Sequence, residues 1–354
     1  MSFPFVQPYF GLGNSLQTAQ GGAVGIGGWV EVGRTTLGSA GDDITVSSLP
    51  DKRYYMILSD LQDNGSSISS QIRLGNSSID TGSNYAKRTS KAGGADATAT
   101  SQSTIDVNTG FAASEDSFNI TYIANKSNKE KLIQNWWTSN AAGAGNAPYR
   151  IECAAKWANT SNSLDIFNNH NAEAGSYNTG SEAVVLGWDP ADTHTTNFWE
   201  ELASVNASGS STNLSSGTIT AKKYLWVQAY TSDVAGDVNM TFNNVTTSTY
   251  ARRYSTNGGS DNTGASAANL NNLIGAGNGT KTFGNCFIVN NSANEKLCMF
   301  HHIRQNAAGA GTAPTRMESV GKWANTSAQI TEIDIDSTSG NFSSNSIIKV
   351  WGSD

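Results

Sequence analysis

The sequence is poor in residues that cross-link a fold or carry charge. Its 354 residues include three cysteines, Cys153, Cys286 and Cys298, an odd number too small for a disulfide framework. Charged residues make up 14% of the chain, against about 25% in an average soluble domain. Residues 1–10 lack the basic start and apolar core of a signal peptide, and no apolar run is long enough to cross a membrane. We therefore expect synthesis in the cytoplasm without export, and a fold held together by its own core.

Basic residues are also scarce. The formal net charge is −7, and the lysines and arginines are scattered along the chain. Proteins that bind nucleic acids or anionic membranes cluster these residues, because neutralising phosphates releases counterions. The composition therefore predicts neither nucleic acid nor membrane as a partner.

Residues that bind metals or catalyse reactions form no complete motif. The sequence has no Gly-x-Ser-x-Gly nucleophile elbow. His301 and His302 are adjacent and would point to opposite faces of a strand, so this pair cannot chelate a metal alone. Glu332, Asp334 and Asp336 share one face of a strand and could hold Ca²⁺, but a solvated strand edge explains them more simply. We expect no metal and no cofactor.

Sugar hydrolysis would require a pair of catalytic carboxylates. Glu152 recurs as Glu318 between an arginine and a lysine, so an ion ladder explains it better than catalysis. The remaining candidates are Glu182, Glu200 and Glu201. We predict that the protein is not an enzyme.

What the chain does contain is a long internal repeat. A block at residue 156 returns at residue 322, an offset of 322 − 156 = 166 residues, which is too long for a solenoid unit and suits a whole domain. The repeat predicts a tandem duplication of one fold. Residues kept in both copies are then needed by the fold, and residues that differ are free for function. The matching blocks include Lys129-Glu130-Lys131-Leu132 with Asn294-Glu295-Lys296-Leu297, and Lys156-Trp157-Ala158-Asn159 with Lys322-Trp323-Ala324-Asn325.

Apolar residues recur with period two almost throughout the chain. In residues 150–157, Ile151, Cys153 and Trp157 fall on one face, while Arg150 and Glu152 fall on the other. This alternation predicts a strand with one packed face and one charged face. Similar short strands are predicted at residues 54–58, 118–123, 225–230, 238–242, 287–289 and 330–335.

These patterns predict an all-β protein with two tandem duplicated antiparallel β-sandwich domains, jelly-roll-like and of about eight strands each, and an extended N-terminal arm. Residues 1–28 form the arm, 29–188 the first sandwich, 189–198 a polar linker, and 199–354 the second sandwich. Cys286 and Cys298 could lie opposite one another across the turn at residues 290–294. Copy 1 has no equivalent pair, so the sequence leaves open whether they form a bridge.

Tryptophans distinguish the two copies. Trp136 and Trp137 of copy 1 align with His301 and His302 of copy 2. On a strand, one of these tryptophans faces outward and could anchor a protein interface or stack on a sugar. The alternative is that loops bury both. Three other pairs are predicted to lie in the core because both copies keep them: Trp29 with Trp199, Trp157 with Trp323, and Trp188 with Trp351.

The first 28 residues lie outside the repeat. An apolar, proline-bearing tip with Phe5, Tyr9 and Phe10 precedes a glycine-rich stem. This composition predicts an arm that docks on another protein, and the alternative is a tail that lies on the first domain. The predicted interaction residues are therefore Phe5, Tyr9, Phe10, Trp136 and Trp137.

Three segments carry a family resemblance. The opening Pro8-Tyr9-Phe10-Gly11-Leu12-Gly13-Asn14, the segment at residues 321–327 and the glycine- and serine-rich ending at 175–187 resemble virion structural proteins of marine tailed phages and related uncultured viruses. The resemblance covers most of the chain. It implies a sandwich-type protein of the particle surface, such as a capsid decoration protein, a head fibre or a tail-fibre-like protein, and it carries over no catalytic residue.

We therefore expect a non-enzymatic virion component whose arm and one sheet face bind the major capsid protein or tail proteins. Such parts assemble as closed homo-oligomers, for example trimers. The alternative is a carbohydrate-binding adhesin or receptor-binding tail-fibre protein that holds a host-surface glycan with Trp136 and Trp137.

Overall fold

The computed structural model describes residues 28–107, 115–192, 196–276 and 280–354. These residues form antiparallel strands in four sheets. Within these ranges there is no helix long and apolar enough to cross a membrane. The prediction of an all-β protein with two duplicated sandwiches is confirmed. Phe5, Tyr9 and Phe10 of the predicted arm lie outside the described residues.

The first sandwich contains an eight-stranded and a five-stranded sheet. Its strands are β1 (Val30–Thr36), β2 (Asp43–Val46), β3 (Tyr54–Leu61), β4 (Ser70–Asn76), β5 (Ser78–Ile79), β6 (Tyr85–Lys91), β7 (Ala97–Gln102), β8 (Ile105–Asp106), β9 (Ser117–Ala124), β10 (Lys131–Ser139), β11 (Tyr149–Trp157), β12 (Ile166–Asn171) and β13 (Glu182–Trp188). The large sheet has the order β1-β13-β3-β9-β10-β11-β6-β7. The small sheet has the order β2-β12-β4-β5, with β8 also paired to β4.

The second sandwich repeats this plan with an eight-stranded and a four-stranded sheet. Its strands are β14 (Glu200–Asn206), β15 (Asn213–Ser215), β16 (Tyr224–Val234), β17 (Asp237–Phe242), β18 (Tyr250–Thr256), β19 (Asn262–Ala267), β20 (Leu270–Ala276), β21 (Thr280–Val289), β22 (Lys296–Arg304), β23 (Thr315–Trp323), β24 (Ile333–Ser337) and β25 (Ile347–Ser353). The large sheet has the order β14-β25-β16-β21-β22-β23-β18-β19, and the small sheet has the order β15-β24-β17-β20.

Strand β11 shows how alternation builds the sandwich. Ile151, Cys153 and Trp157 are buried between the two sheets of domain 1, as their spacing predicts. Burying apolar surface of this kind contributes about 25 cal/mol per Å² removed from water. The charged face of the strand, with Arg150 and Glu152, points away from this core. This face belongs to the outer surface of the large sheet.

The repeated Lys-Glu-Lys-Leu and Lys-Trp-Ala-Asn blocks meet in a buried anchor. The Lys131 ammonium donates to the Asn159 carbonyl at 3.0 Å and lies 5.7 Å from the centre of the Trp157 ring. In the second domain Lys296 donates to the Asn325 carbonyl at 2.8 Å and lies 6.0 Å from a tryptophan ring. A buried ammonium must be hydrogen-bonded, and in both domains backbone carbonyls of the second block supply the acceptors. This part of the repeat serves the fold.

One tryptophan alignment was wrong. Trp157 and Trp323 lie in the sandwich cores as predicted. The strand register, however, pairs Leu186 with Met56 and Trp351 with Trp226, whereas Trp188 pairs with Tyr54. Because Tyr54 and Tyr224 are equivalent, Trp351 corresponds to Leu186, and Trp188 corresponds to Ser353. Trp188 is half-buried and is not a core residue.

Three other expectations need correction. The domains have more strands than the eight predicted, since short polar strands such as β7 and β19 have no apolar alternation to reveal them. The three cysteines are free thiols, and Cys286 pairs across the sheet with Phe300, two positions from Cys298. The acidic strand β24 is not an edge, because it lies between β15 and β17.

The outer faces of the two large sheets pack against each other, so the molecule has four layers of sheet. We call this contact the seam. It is a third apolar cluster, separate from the two sandwich cores. Its buried members are Met56, Leu58, Phe118, Ile120, Val184 and Leu186 of domain 1, and Phe198, Trp199, Tyr224, Trp226, Phe287, Val289, Leu297, Met299, Val320 and Trp351 of domain 2.

Candidate functional site at the seam

The seam is closed along one half by acidic side chains of domain 1. Asp60 and Glu182 lie on the adjacent strands β3 and β13 and are both nearly fully buried. Each has a carboxylate oxygen 3.1 Å from the ammonium of Lys223 in domain 2. The Tyr224 hydroxyl donates to Glu182 at 2.8 Å. One lysine therefore holds two buried acids. Removing it would leave Asp60 without a cation, while Glu182 would keep Arg34, which lies 3.3 Å away.

A third acid extends this closed half. The amide of Asn294 donates to Asp116 at 2.7 Å, and the amide of Asn291 donates to Asp60 at 2.6 Å. Burial raises the pKa of Asp116 to about 6, an effect only partly offset by the Asn294 hydrogen bond. Burial likewise raises the pKa of Asp60 against the opposing charge of Lys223. For Glu182 burial also acts upward, but Lys223 and further hydrogen bonds outweigh it and hold the pKa below its usual value.

Lys322 of domain 2 is completely buried at the same end of the seam. Its ammonium donates to the carbonyls of Asn140 and Ala141 in domain 1, the latter at 2.8 Å, and lies 3.2 Å from the Glu295 carboxylate. Glu295 in turn accepts a hydrogen bond of 2.7 Å from the Gly143 amide. Burial lowers the pKa of Lys322, and the neighbouring carboxylate opposes that effect. The loop between β10 and β11 is therefore an interdomain contact.

Among the described residues, the other end of the seam shows no equivalent of these contacts. Lys156, the counterpart of Lys322, is partly exposed and pairs with Glu130 of its own domain at 2.8 Å. In the loop between β22 and β23, residues 307–314 are all exposed, whereas Ala141 and Pro148 in the loop between β10 and β11 are buried. The two copies keep the same loop sequence but use it differently.

Trp136 and His301 meet at the centre of the seam. Their ring centroids are 4.4 Å apart, and Trp136 also packs edge-on against Tyr122 at 5.3 Å. Trp136 pairs with Glu152 across its hairpin and His301 pairs with Glu318, so the two positions are equivalent. Contact between equivalent positions indicates that an approximate two-fold axis relates the domains near this point.

Charged groups surround this pair. Arg150 lies 2.7 Å from Glu152 and 2.7 Å from Asp261 of domain 2, and His301 lies 3.7 Å from Glu152. Burial would raise the pKa of Glu152, but His301 and Arg150 hold it below its usual value. Burial and the Glu152 charge raise the pKa of Glu318. The cavity between these groups has a volume of about 10 Å³, roughly the space that one water molecule needs.

Exposure runs in opposite directions along the two central strands. The outer face of β10 changes from exposed to buried along the chain, and that of β22 changes from buried to exposed. Leu132 is 61% exposed and its counterpart Leu297 is 1% exposed, whereas Ile303 is 53% exposed and its counterpart Thr138 is completely buried. The sheets are therefore in contact along one half only.

The remaining part of the seam is open to solvent, and we call it the open half. The end of β10 leads into the loop that contacts Glu295 and Lys322, near the start of β22, and the strand centres meet at Trp136 and His301. The start of β10 must then lie opposite the end of β22. The open half is lined by Tyr54, Leu132 and Trp188 of domain 1, and by Tyr230 and Ile303 of domain 2.

The sequence explains why this half stays open. By register, Asp60 corresponds to Tyr230 and Glu182 corresponds to Ile347. The second domain therefore has no acid at either of these two matched positions. In the first domain, the positions equivalent to Lys223, Asn291 and Asn294 carry exposed cations. These are Arg53, Lys126 and Lys129. In the part of the chain that the structure describes, the interdomain ion pairs of Lys223 with Asp60 and Glu182 have no counterparts in the other half.

The structure separates the two tryptophans singled out by the sequence. Trp137 is 2% exposed in the core of domain 1, and Trp136 is half-buried in the seam. Domain 2 rather than a loop covers Trp136, which neither sequence interpretation anticipated. Of the acids in the closed half, Asp60 and Asp116 were missed, and Glu182 was considered only as a catalytic candidate. Comparing the copies could have singled out Asp60 and Glu182, since domain 2 has Tyr230 and Ile347 at the equivalent positions.

The candidate metal ligands do not assemble. Across the ranges that the structure describes, no group of three or more histidine, cysteine or acidic side chains could hold a metal ion. His301 lies in the seam while His302 is buried on the opposite face, as the strand geometry predicted. Asp334 is buried, and Asp336 accepts a 2.8 Å hydrogen bond from Asn213. These acids are part of the small sheet.

No protein-family model and no curated protein matches the sequence. Among solved structures, domains LG4-5 of the mouse laminin alpha1 chain align with 92% of this chain and 90% of that chain, at 9% identity and a TM-score of 0.19. At this TM-score and identity, the similarity supports no conclusion about the fold family or the function of this protein.

Proposed function

We propose that this protein is a non-enzymatic structural component of a virus-particle surface, a capsid decoration or fibre protein. It binds the particle through its N-terminal arm and through one sheet face. The family resemblance of the sequence supports the particle surface as its location. The geometry supports binding as its mode of action, because the acids of the closed half are engaged in joining the domains.

The observation that carries the proposal is the open half of the domain 1 face. In domain 2 the equivalent surface, with Lys223, Tyr224 and Leu297, is already bound by the acidic and apolar face of domain 1. In domain 1 the corresponding Arg53, Tyr54 and Leu132 reach solvent. This face has the chemistry to bind an acidic, apolar protein surface, and exposed apolar residues rimmed by charge are typical of interaction sites.

Particle binding tests the proposal directly. We expect the purified chain to co-sediment with particles of the virus that encodes it, and the double variant Lys126→Glu, Lys129→Glu to bind at least about tenfold more weakly, because charged rims steer and orient partners. Arg88→Glu, an exposed cation at the far edge of the same sheet, is the matched control. Unchanged binding by the double variant would reject the sheet face as the binding surface.

Counting copies tests the location. Mass spectrometry of purified particles should find the chain, at hundreds of copies if it covers the shell and at a few if it belongs to the tail. Its absence from particles would reject the virion role whatever the sheet face binds.

A second candidate is carbohydrate binding, which one observation favours. Tyr54 and Trp188 stack at 5.3 Å with an angle of 21° between their rings, and both are half-buried on the open half. Such an aromatic surface can stack on a sugar ring. The adhesin version based on Trp136 and Trp137 has no free platform, since both rings are covered.

A glycan array separates the two candidates. If the protein is an adhesin, it binds a glycan with a dissociation constant of about a millimolar or better, and Trp188→Ala abolishes that binding while Trp136→Ala does not. Retained binding in Trp188→Ala, or no glycan bound at all, would count against this candidate.

A further inference from the structure

We infer that the open half of the seam is a docking site for the chain's own N-terminal arm. The arm would lie between Leu132 and Ile303, with Phe5, Tyr9 and Phe10 as its anchors. The inference concerns the free chain and does not depend on a virion role. It goes beyond the proposed function because it makes the two binding elements, arm and sheet face, cover each other before a partner is met.

The arm joins the body beside the open half, at Gly28 and Trp29. Trp29 packs edge-on against Tyr122 on the outer face of domain 1, with ring centroids 6.4 Å apart. Its carbonyl accepts a hydrogen bond of 2.9 Å from the Phe198 amide. Gly28 has a φ of 144°, and a Cβ there would lie 2.7 Å from the Asn197 side chain. A glycine is required at this point, and the arm leaves the body at the border of the open half.

The arm is long enough to reach Leu132. Strands β1 and β10 are four positions apart in the sheet, which corresponds to roughly 19 Å at a spacing of about 4.8 Å between strands. The stem between Phe10 and Gly28 spans up to about 60 Å at roughly 3.3 Å per residue. The apolar tip therefore reaches Leu132 easily while attached to its own body.

The arm and the open half are chemically complementary. Residues 1–27 contain no Asp, Glu, Lys or Arg, and their tip is aromatic and proline-bearing. Two large hydrophobic side chains in the described ranges are more than half exposed to solvent, Leu132 and Ile303, and both line the open half. The equivalent position to Leu132, Leu297, is completely covered in domain 2. Domain 2 has no acids equivalent to Asp60 and Glu182, so the sheets are not drawn together in this half. An uncharged apolar segment suits the surface that is left uncovered.

Thiol accessibility in the full chain tests this inference. The three native cysteines are buried, so a cysteine placed at Leu132 or Ile303 reports on its own site. We expect a bulky maleimide to label Leu132→Cys and Ile303→Cys about tenfold faster when the arm also carries Phe5→Ser, Tyr9→Ser and Phe10→Ser, as expected if the arm is docked for about nine-tenths of the time. Ala97→Cys, on the exposed strand β7, is the control and should react at one rate in both backgrounds.

Equal labelling rates at both probes with and without the arm substitutions would overturn the inference. Two probes are used because Leu132→Cys removes part of the docking surface, whereas Ile303→Cys leaves Leu132 in place. Protection by a tethered arm does not change over a roughly hundredfold dilution, because its effective concentration is set by the stem. Protection that falls on dilution would assign the arm to a second copy and reject docking within one chain.

Discussion

At the scale of single residues, equivalent side chains have different environments in the two domains. Lys322 has three partners in the closed half of the seam, while Lys156, at the same place in the repeat, pairs with one surface acid. Sequence comparison shows the lysine twice and predicts the same role twice. The difference comes from the neighbouring domain, which a pattern within one copy does not contain.

Replacing these lysines measures the difference. We expect Lys322→Met to lower the free energy of unfolding by about 3–5 kcal/mol, because the Glu295 carboxylate is left buried beside two unpaired carbonyls. Lys156→Met should cost less than about 1 kcal/mol, the usual value of a surface ion pair. Urea unfolding followed by fluorescence gives both numbers. Equal costs for the two variants would contradict the asymmetric seam.

Asp116 should make stability depend on pH. Burial raises its pKa in the folded chain from 3.8 to about 6, so the neutral form is favoured by folding. The contribution is present below about pH 4 and is lost as the pH rises through 6, to a total of about 3 kcal/mol. Relative to the wild type, Asp116→Asn should therefore become more stable by that amount between pH 4 and 7.5.

Urea unfolding at several pH values checks this expectation. The Asn294 hydrogen bond remains possible in Asp116→Asn after rotation of the new amide. Asp96→Asn, at an exposed acid on the far edge of the sheet, is the control. A stability difference between Asp116→Asn and the wild type that stays constant from pH 4 to 7.5 would show that Asp116 is not buried by the second domain.

At the scale of elements, alternation predicted which residues share a face of a strand and left open what covers it. In β11, Ile151 and Trp157 were correctly assigned to the core. The other face was predicted only to be charged, and the structure shows that its Arg150 is buried against Asp261 of the other domain. The period-two signal arises within one strand, whereas the cover comes from a segment over a hundred residues away in the sequence.

The two tryptophans of β10 should contribute unequally to the free energy of unfolding. Trp137→Ala should destabilise the chain by about 3–5 kcal/mol, as expected for a large ring removed from a packed core. Trp136→Ala should cost about 1–2 kcal/mol, because a half-buried ring loses its contacts with Tyr122 and His301. Chemical denaturation of both variants decides the point. A larger loss for Trp136→Ala would mean that the seam, and not the sandwich core, dominates the stability of this strand.

At the scale of the whole molecule, duplication explains the seam. The two copies present the same faces to each other about an approximate two-fold axis near Trp136 and His301. Perfect copies would close both halves alike. Asp60 and Glu182 of the first copy close one half of the seam. The second copy has Tyr230 and Ile347 at the equivalent positions, which leaves the other half available for binding. The duplication could be predicted from sequence, but this face-to-face arrangement could not, since residues kept for the fold say nothing about docking.

The central claim is that the seam is closed on one side and open on the other. The most direct test is to place single cysteines at the two matched pairs, Leu132 with Leu297 and Thr138 with Ile303, in the chain with the arm substitutions Phe5→Ser, Tyr9→Ser and Phe10→Ser. Maleimide should label Leu132→Cys and Ile303→Cys rapidly, and Leu297→Cys and Thr138→Cys at least about a hundredfold more slowly, since their exposure needs the domains to open. Similar rates within each matched pair would contradict the account.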